Sequence, residues 1–228
     1  MTNLELIKFL ETKLESSKNN PVIAKWIFCF VNNISEVDLI QHYGNQATKK
    51  NKCIKYTNQY INGKPLARIL KKSSFYGYEF IVNNNVFIPR LETELLVDKL
   101  NEITASNLTK LNILDMCCGC GAIGIAIQLC CHNQHNLTLI DISKKAIKNT
   151  SINLQKLGCS GVAYQSDLFC NYKSTKPFDV IIFNPPYIAK SESINKTIKK
   201  YVFLFYKRKG LEPRVGTKGN KNSSVNCF

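Results

Sequence analysis

The stretch ILDMCCGCGAIGIAI, residues 113–127, decides the fold. Its first residues extend an apolar run that begins at Leu111, and they predict a buried strand that ends at Asp115. Its last residues open a helix that we predict over 122–130. The five small residues between them, Cys117 to Gly121, predict a tight turn whose backbone a ligand can approach closely. A strand, a tight turn and a helix in this order are typical of a parallel α/β sheet.

The chain after this unit keeps alternating between strands and helices. Each predicted strand is apolar throughout, which is typical of parallel strands that are covered on both faces. Ser143 can cap the long helix and Gly158 can end it. The sequence predicts strands over 137–141, 161–165 and 179–183, and a helix over 144–157. Because ligands of such sheets bind beyond the carboxyl ends of the strands, we expect the site there.

The amino-terminal part of the chain predicts a small helical domain. Apolar residues at helical spacing indicate a first helix over 4–14. Asn20 and Pro21 predict the start of a second helix, Ser35 the cap of a third, and Gly44 its end. A further helix is expected near 48–61.

Residues 75–88 change to short aromatic and β-branched runs, which predict a β-hairpin with its turn at 83–85. A helix with the apolar residues Leu95, Leu96, Val97, Leu100 and Ile103 follows. We therefore predict four parts: a helical domain over 1–70, a hairpin linker over 71–90, an α/β domain over 91–190, and a divergent basic tail over 191–228.

Composition limits the classes of protein that the chain can represent. No apolar run approaches the roughly 20 residues that a membrane span needs, so we expect a soluble, cytoplasmic protein. Several of the ten cysteines are sequence neighbours, which suits reduced thiols in a reducing compartment. The cluster CCHNQH at 130–135 has no second pair of Cys or His ligands to complete a zinc site, and we expect no metal.

The formal net charge of +15 favours an anionic partner, but its distribution weakens that interpretation. Residues 190–228 contain ten Lys and Arg against two Glu, so a net +8 of the +15 falls in that segment. The rest of the chain is only mildly basic. A polyanion site and a plain drift in composition both remain open.

Three acidic residues occupy comparable places at strand ends: Asp115, Asp141 and Asp167. A carboxylate at the tip of the strand about 20 residues after a small-residue turn suits a ribose diol, which indicates a nucleoside site. The spacing of Gly119, Gly121 and Gly124 also fits a dinucleotide motif, so a dinucleotide stays open at this point.

The segment NPPY, Asn184 to Tyr187, follows the last apolar strand. Its two prolines lack backbone donors, so the Pro185 carbonyl and the Asn184 amide oxygen can act as acceptors for a planar NH₂ group. Holding both hydrogens localises the nitrogen lone pair, and Tyr187 can stack on the flat group, so catalysis here would come from positioning. The alternative is a rigid turn that simply ends the strand.

At this point the sequence resembles a known family. ILDMCCGCGAIGIAI, LIDIS, SDLF and FNPPYI resemble the motifs of class I methyltransferases that depend on S-adenosylmethionine. VFIPRLETELLV, GKPLARIL and SSFYGYEF resemble the protein-(glutamine-N5) methyltransferases of the HemK/PrmC type, which modify the glutamine of the GGQ motif in peptide chain release factors. The resemblance covers about residues 4–190 and rests on a specific combination of motifs.

The resemblance implies an α/β fold of class I, with a Rossmann-like parallel sheet that lacks its last strands, a helical domain that docks the substrate, and a linking hairpin. It implies S-adenosylmethionine as cofactor, a release factor as protein substrate, a monomer, and no membrane or nucleic-acid partner. The implied cofactor-binding residues are Asp115, Cys117, Cys118, Gly119, Cys120, Gly121, Asp141, Asp167, Leu168 and Asn184. The implied catalytic and substrate-binding residues are Asn184, Pro185, Pro186 and Tyr187, with Arg90, Glu92 and Glu94 near the mouth of the site. For Glu92 and Glu94, a plain helix-capping role is an equal alternative.

The chain departs from the family pattern in two places. Cys117 stands where a glycine is usual, and a positive φ there would weaken cofactor binding. After the NPPY strand the usual strands are not recognisable, and the run YVFLF at 201–205 either replaces a neighbour at that edge or has no fold of its own. Two other functions therefore stay open: a DNA amino-methyltransferase that acts on a flipped base, and a non-catalytic remnant.

Overall fold

The structure is a computed structural model that describes residues 1–105, 110–132, 134–174, 176–185 and 203–206. The chain divides into two compact units. Unit 1 comprises Met1–Ser73 and Val82–Asn84, and unit 2 comprises Ser74–Ile81 and Asn85–Phe228. Within the described part of the chain, no helix combines the length and the apolar character that crossing a membrane requires.

Unit 1 is built from helices that bury apolar faces against one another. They are α1 (Asn3–Ser16), α2 (Ile23–Asn32), α3 (Lys50–Ile61) and α4 (Leu66–Leu70). The first helix starts with a reciprocal cap, in which the Thr2 hydroxyl accepts from the Glu5 N–H and the Glu5 carboxylate accepts from the Thr2 N–H. Fully buried side chains such as Leu10 and Phe28 form the core. Unit 1 is therefore helical, and α1 and α3 lie close to the bounds predicted for the first and last of its helices.

Two details of unit 1 differ from the prediction. The cap of α2 is Val22, and Asn20 instead accepts from the Val22 N–H at 3.0 Å in the turn before the helix. The predicted third helix is only a 3₁₀ turn over Leu39–His42. The Ser35 hydroxyl donates to the Asp38 carboxylate and accepts from the Asp38 N–H, which closes a local turn. The apolar side chains of Val37 and Ile40 are exposed, so little burial favours a longer helix there.

The hairpin consists of β1 (Lys72–Phe75) and β2 (Tyr78–Ile81). Its turn is Tyr76–Gly77, with φ of 50° and 77°, so the predicted turn at 83–85 was wrong. Positive φ at both central residues matches the twist of the paired strands, and α5 (Glu94–Ala105) holds the unfavoured Tyr76 in place. The Glu94 carboxylate accepts from the Tyr76 N–H at 2.7 Å, and the Tyr76 hydroxyl donates to Asp98 at 2.7 Å.

Unit 2 contains a five-stranded sheet whose order is β5-β4-β3-β6-β7. Its first four strands are parallel, which confirms the predicted Rossmann-like architecture. The strands are β3 (Asn112–Met116), β4 (Asn136–Asp141), β5 (Val162–Gln165), β6 (Val180–Phe183) and β7 (Phe203–Tyr206). The last strand pairs antiparallel with β6, so part of the run YVFLF takes the place beside the NPPY strand.

Two helices connect the parallel strands; the first has the predicted bounds, and the second ends one residue before its predicted end. They are α6 (Ala122–Cys130) and α7 (Lys144–Lys156), the latter capped by Ser143. Every residue from Ala122 to Gln128 is buried, because α6 packs on the apolar sheet. The opposite sheet face carries Leu114, Met116 and Ile140 in a smaller apolar cluster. The carboxyl ends of the four parallel strands therefore lie at one edge of a well-packed sheet.

Gln128 is a buried polar residue that ties α6 to the starts of two strands. Its amide nitrogen donates to the carbonyls of His135 at 2.7 Å and Ser160 at 3.0 Å, and its oxygen accepts from the His135 N–H at 3.2 Å. A single side chain thus satisfies three backbone groups where β4 and β5 begin.

We predict that Gln128→Leu lowers the free energy of unfolding by about 2 to 4 kcal/mol, because it keeps the side-chain volume but leaves these backbone groups without partners. The exposed Gln155→Leu on α7 is the matched control and should change it by less than about 0.5 kcal/mol. Urea unfolding of both variants measures the difference. Equal stabilities would contradict the role given to Gln128.

Candidate functional site

The turn between β3 and α6 has an unusual backbone conformation. Cys117, Gly119 and Gly121 all have positive φ, at 61°, 60° and 80°. The Cys118 N–H donates to the Ile140 carbonyl at 3.0 Å and the Gly121 N–H donates to the Cys118 carbonyl at 2.8 Å. The turn is therefore anchored to the end of β4 and closed on itself.

Asp141, at the end of β4, joins this turn to the start of α7. Its two carboxylate oxygens accept from the Gly119 N–H at 2.9 Å and from the Ser143 N–H at 2.8 Å. Each oxygen still has a further lone pair, and the side chain is only half-buried. The carboxylate is thus rigidly oriented and keeps acceptor capacity for a ligand with hydroxyl groups.

Asp115, at the end of β3, is almost completely buried. One carboxylate oxygen accepts from the Gly124 N–H at 3.0 Å, and the other is buried without a partner in the described part of the chain. Burial raises the pKa of Asp115 to about 7; the Gly124 hydrogen bond lowers it and the charge of Asp141 raises it. Asp115 therefore joins the end of β3 to the first turn of α6 and has a pKa close to neutrality.

Cys117 shows that the three predicted acidic residues converge. Burial, together with the negative charges of Asp141, Asp115 and Asp167, raises the pKa of its thiol to about 12. All three carboxylates therefore act on one side chain at the carboxyl edge of the sheet. The thiol stays protonated at neutral pH, which excludes a nucleophilic role for it.

Asp167 and Leu168 follow β5 and are both exposed, with Leu168 at a φ of 49°. The Ser166 N–H donates to the Asp141 carbonyl at 3.1 Å, so the ends of β4 and β5 are joined directly. The structure thereby places this predicted pair beside the strand that carries Asp141.

Asn184 and Pro185 directly follow β6 and are half-buried. Met116 pairs with Phe183 in the sheet register, so Asn184 leaves β6 at the level where Cys117 leaves β3. Pro186 and Tyr187 lie outside the described residues. The described half of the NPPY motif and the turn thus belong to neighbouring strand ends.

The residues predicted near the mouth of the site have other contacts. The Arg90 guanidinium lies 5.2 Å from the centroid of the Phe87 ring, and Glu92 is exposed. Glu94 accepts from the hairpin turn at Tyr76, which is a structural contact. The described contacts therefore do not bring Arg90 or Glu94 together with the Cys117–Gly121 turn.

Sequence reasoning missed a polar face on α7. Thr150 donates to the Gly119 carbonyl at 3.0 Å and Asn153 donates to the Cys120 carbonyl at 2.9 Å. Both side chains are fully buried. The sequence could have indicated this face, because polar residues occupy some of the inward positions of this amphipathic helix.

Comparison with known proteins identifies the family. The family described as Methyltransferase small domain matches residues 78–204. A release factor glutamine methyltransferase of Buchnera aphidicola subsp. Acyrthosiphon pisum is 33% identical over 206 residues, which are 80% of this chain and 72% of that protein. The chain belongs to the family of release factor glutamine methyltransferases.

Other relatives of the family match a shorter stretch. The protein with this name from Leptospira interrogans serogroup Icterohaemorrhagiae serovar Lai (strain 56601) is 39% identical over 148 residues, which are 64% of this chain and 51% of that protein. The chain spans about half the length of this relative and of the one from Bacillus subtilis (strain 168).

Among solved structures, the 16S rRNA N2 G1207 methyltransferase of T. thermophilus, solved with AdoMet and guanosine, has a TM-score of 0.43 and 17% identity. The aligned part comprises 52% of this chain and 33% of that protein. The family assignment rests on the sequence relatives.

In this family member the two turn glycines differ in the space around them. A β-carbon on Gly121 would lie 2.9 Å from both Ile125 and Thr150, whereas no atom of the described residues lies within 4 Å of one on Gly119. We predict that Gly119→Ala lowers the free energy of unfolding by about 1 kcal/mol through backbone strain alone. Gly121→Ala should lower it by at least about 2 kcal/mol, because it adds overpacking to the same strain. Thermal unfolding compares the two, and equal losses would contradict this account.

The buried Asp115 predicts a pH-dependent stability. Its folded-state pKa of about 7 lies above its value of 3.8 in the absence of burial, so its stability contribution is complete below about pH 4 and is lost as pH rises through 7. Asp115→Asn keeps an acceptor for the Gly124 N–H and removes the titration. The variant should therefore gain stability relative to the unmodified chain as pH rises from about 4 to 8, by about 1 to 3 kcal/mol. Urea unfolding at several pH values measures this, and a constant difference would contradict it.

Proposed function

We propose that this chain transfers a methyl group from S-adenosylmethionine to the side-chain amide nitrogen of the glutamine in the GGQ motif of a peptide chain release factor. The family assignment supports the reaction class. The observation that carries the proposal is the convergence of the Cys117–Gly121 turn, the oriented Asp141 carboxylate and the Asn184–Pro185 segment at one edge of the sheet.

The residues of the edge fit S-adenosylmethionine. Asp141 offers acceptor lone pairs to the two ribose hydroxyls, and its hydrogen bonds from Gly119 and Ser143 keep it from turning away. Among the described residues, none comes within 4 Å of the place where a β-carbon on Gly119 would lie, and the methionine part would pass there. The exposed Asp167 and Leu168 would border the adenine.

The acceptor pair at the end of β6 fits a planar amide. The Pro185 carbonyl and the Asn184 amide oxygen would take the two hydrogens of the glutamine NH₂ and thereby orient its lone pair. Pro186 and Tyr187 would complete this cradle. When bound, S-adenosylmethionine would supply an electrophilic methyl group. The glutamine nitrogen would form a bond to this carbon, the electron pair of the carbon–sulfur bond would stay on sulfur, and the nitrogen would lose one proton to water.

The protein partner is the release factor, for which the helical domain of residues 1–70 would be the docking part. Arg90 and Glu92 would contact this substrate near the mouth of the site. The protein would act as a monomer in the cytoplasm.

The direct test is incubation of the whole chain with a release factor and isotopically labelled S-adenosylmethionine, followed by mass spectrometry of the GGQ peptide. We expect one labelled methyl group to replace a hydrogen on the glutamine side chain. A DNA duplex offered in parallel tests the amino-methyltransferase alternative. Label in DNA alone would replace the proposal, and no label in either, beside an active relative, would reject transfer by this chain.

Two substitutions separate cofactor binding from transfer. Asp141→Asn should weaken S-adenosylhomocysteine binding about tenfold or more, because it loses charge and one acceptor oxygen at the ribose. Asn184→Ala should lower the transfer rate at saturating cofactor about 100-fold, because it loses one of the two groups that orient the amide. Calorimetry and single-turnover labelling measure these values. Unchanged binding in the first variant would remove Asp141 from the cofactor site.

A further inference from the structure

The inward face of α7 carries three polar residues, Asn149, Thr150 and Asn153, and all three are completely buried. Buried polar groups cost free energy unless they are hydrogen-bonded, so their partners indicate why they are there. In this helix the partners belong to two backbone segments, the Cys117–Gly121 turn and the strand β2.

Thr150 and Asn153 hold two consecutive carbonyl groups of the turn. The Thr150 hydroxyl donates to the Gly119 carbonyl at 3.0 Å, and the Asn153 amide donates to the Cys120 carbonyl at 2.9 Å. Because the C=O and N–H of a trans peptide point in opposite directions, both bonds also fix the directions of the Cys120 and Gly121 N–H groups. The side chains of α7 thus set the orientation of two successive peptide planes.

The turn needs such external bonds because its conformation is not favoured locally. Cys117 has a φ of 61°, which costs an L-residue roughly 1–2 kcal/mol. Strained backbone conformations persist where several contacts from the surrounding structure hold them in place. Asp141 fixes the N–H side of residue 119 from β4, and Thr150 fixes its carbonyl side from α7.

Asn153 also fastens the hairpin. Its oxygen accepts from the Ile81 N–H at 2.7 Å, and its amide donates to the Ile81 carbonyl at 3.0 Å. Asn149 donates to the same carbonyl at 2.8 Å. One side chain therefore connects the end of β2 with the turn through hydrogen bonds that need a carboxamide.

We propose that Thr150 and Asn153 are positioning residues that preorganise the Cys117–Gly121 turn for its ligand. The inference rests on the proposed function, in which that ligand is S-adenosylmethionine. Loss of either donor lets one peptide plane of the turn adopt other orientations. Ligand binding must then fix that plane, and the free energy this requires lowers the ligand affinity.

The test is the affinity of the whole chain for S-adenosylhomocysteine, measured by calorimetry. Thr150→Val keeps the shape of the side chain and removes only the hydroxyl, so we expect the Kd to rise about three- to tenfold. Thr150→Ser keeps the hydroxyl and should restore most of the affinity. Asn153→Ala should raise the Kd about tenfold or more, and in the double variant the two effects should be less than additive, because both side chains act on one turn.

Lys156→Gln is the matched control. Lys156 bonds the Glu79 carbonyl and carboxylate of β2 from the same helix, so the control weakens the contact between α7 and the hairpin without removing a donor to the turn. Its Kd should stay within about twofold. Circular dichroism at the titration temperature ensures that only folded variants are compared, and Thr150→Val decides alone if Asn153→Ala does not fold.

The outcomes separate this inference from the proposed function. Binding by the unmodified chain with an unchanged Kd in Thr150→Val, even if its unfolding midpoint falls, would overturn the positioning role alone. A Kd in Lys156→Gln that rises as much as in Thr150→Val would overturn it too, because stability would then explain the loss. No binding by the unmodified chain would overturn the proposed function together with the inference.

Discussion

The site depends on one carboxylate that bridges two backbone N–H groups. Asp141 accepts from Gly119 in the turn and from Ser143 at the start of α7, so a single side chain fixes three elements against each other. Ser143 in turn caps α7 through its hydroxyl, which accepts from the Ala146 N–H at 3.3 Å. The end of β4, the turn and the start of α7 are therefore joined by hydrogen bonds through Asp141 and Ser143. Any ligand group that binds Asp141 meets an acceptor whose orientation has already been set by folding.

Three acidic residues at one sheet edge repel one another when all are ionised, and burial of Asp115 reduces this repulsion because it raises the pKa of that residue. Like charges close together disfavour simultaneous ionisation, and the charge of Asp141 raises the pKa of Asp115. Since the pKa of Asp115 is about 7, this residue spends part of its time neutral near physiological pH, which lowers the repulsion toward Asp141. The half-buried Asp141 keeps lone pairs with which it can accept hydrogen bonds from a ligand. The buried Asp115 and the more exposed Asp141 thus have different roles because they lie at different depths in the sheet.

The sequence predicted unit 2 well because its strands are short apolar runs separated by clear caps and stops. The bounds of α6 agree with the prediction, and each end of β3, β4, β5 and β6 lies within one residue of its predicted position. The predicted hairpin turn failed because Tyr76 adopts a positive φ that tyrosine disfavours, and the bond from Glu94 that holds it is tertiary. The polar face of α7 was missed for a similar reason. Asn149, Thr150 and Asn153 look like solvent-exposed residues until the turn and β2 are placed against them.

The cysteine at position 117 shows what a turn of this kind tolerates. A glycine would adopt the φ of 61° without cost, so the cysteine adds strain. It adds no charge, however, because burial and the neighbouring carboxylates raise the thiol pKa to about 12. A residue that ionised here would repel Asp141 and compete for the acceptor role that the site needs. A small, neutral side chain therefore costs only backbone strain, and that strain can be balanced by the hydrogen bonds that the turn receives from β4 and α7. The departure from glycine is thus compatible with a ligand-binding turn as long as those external bonds are kept.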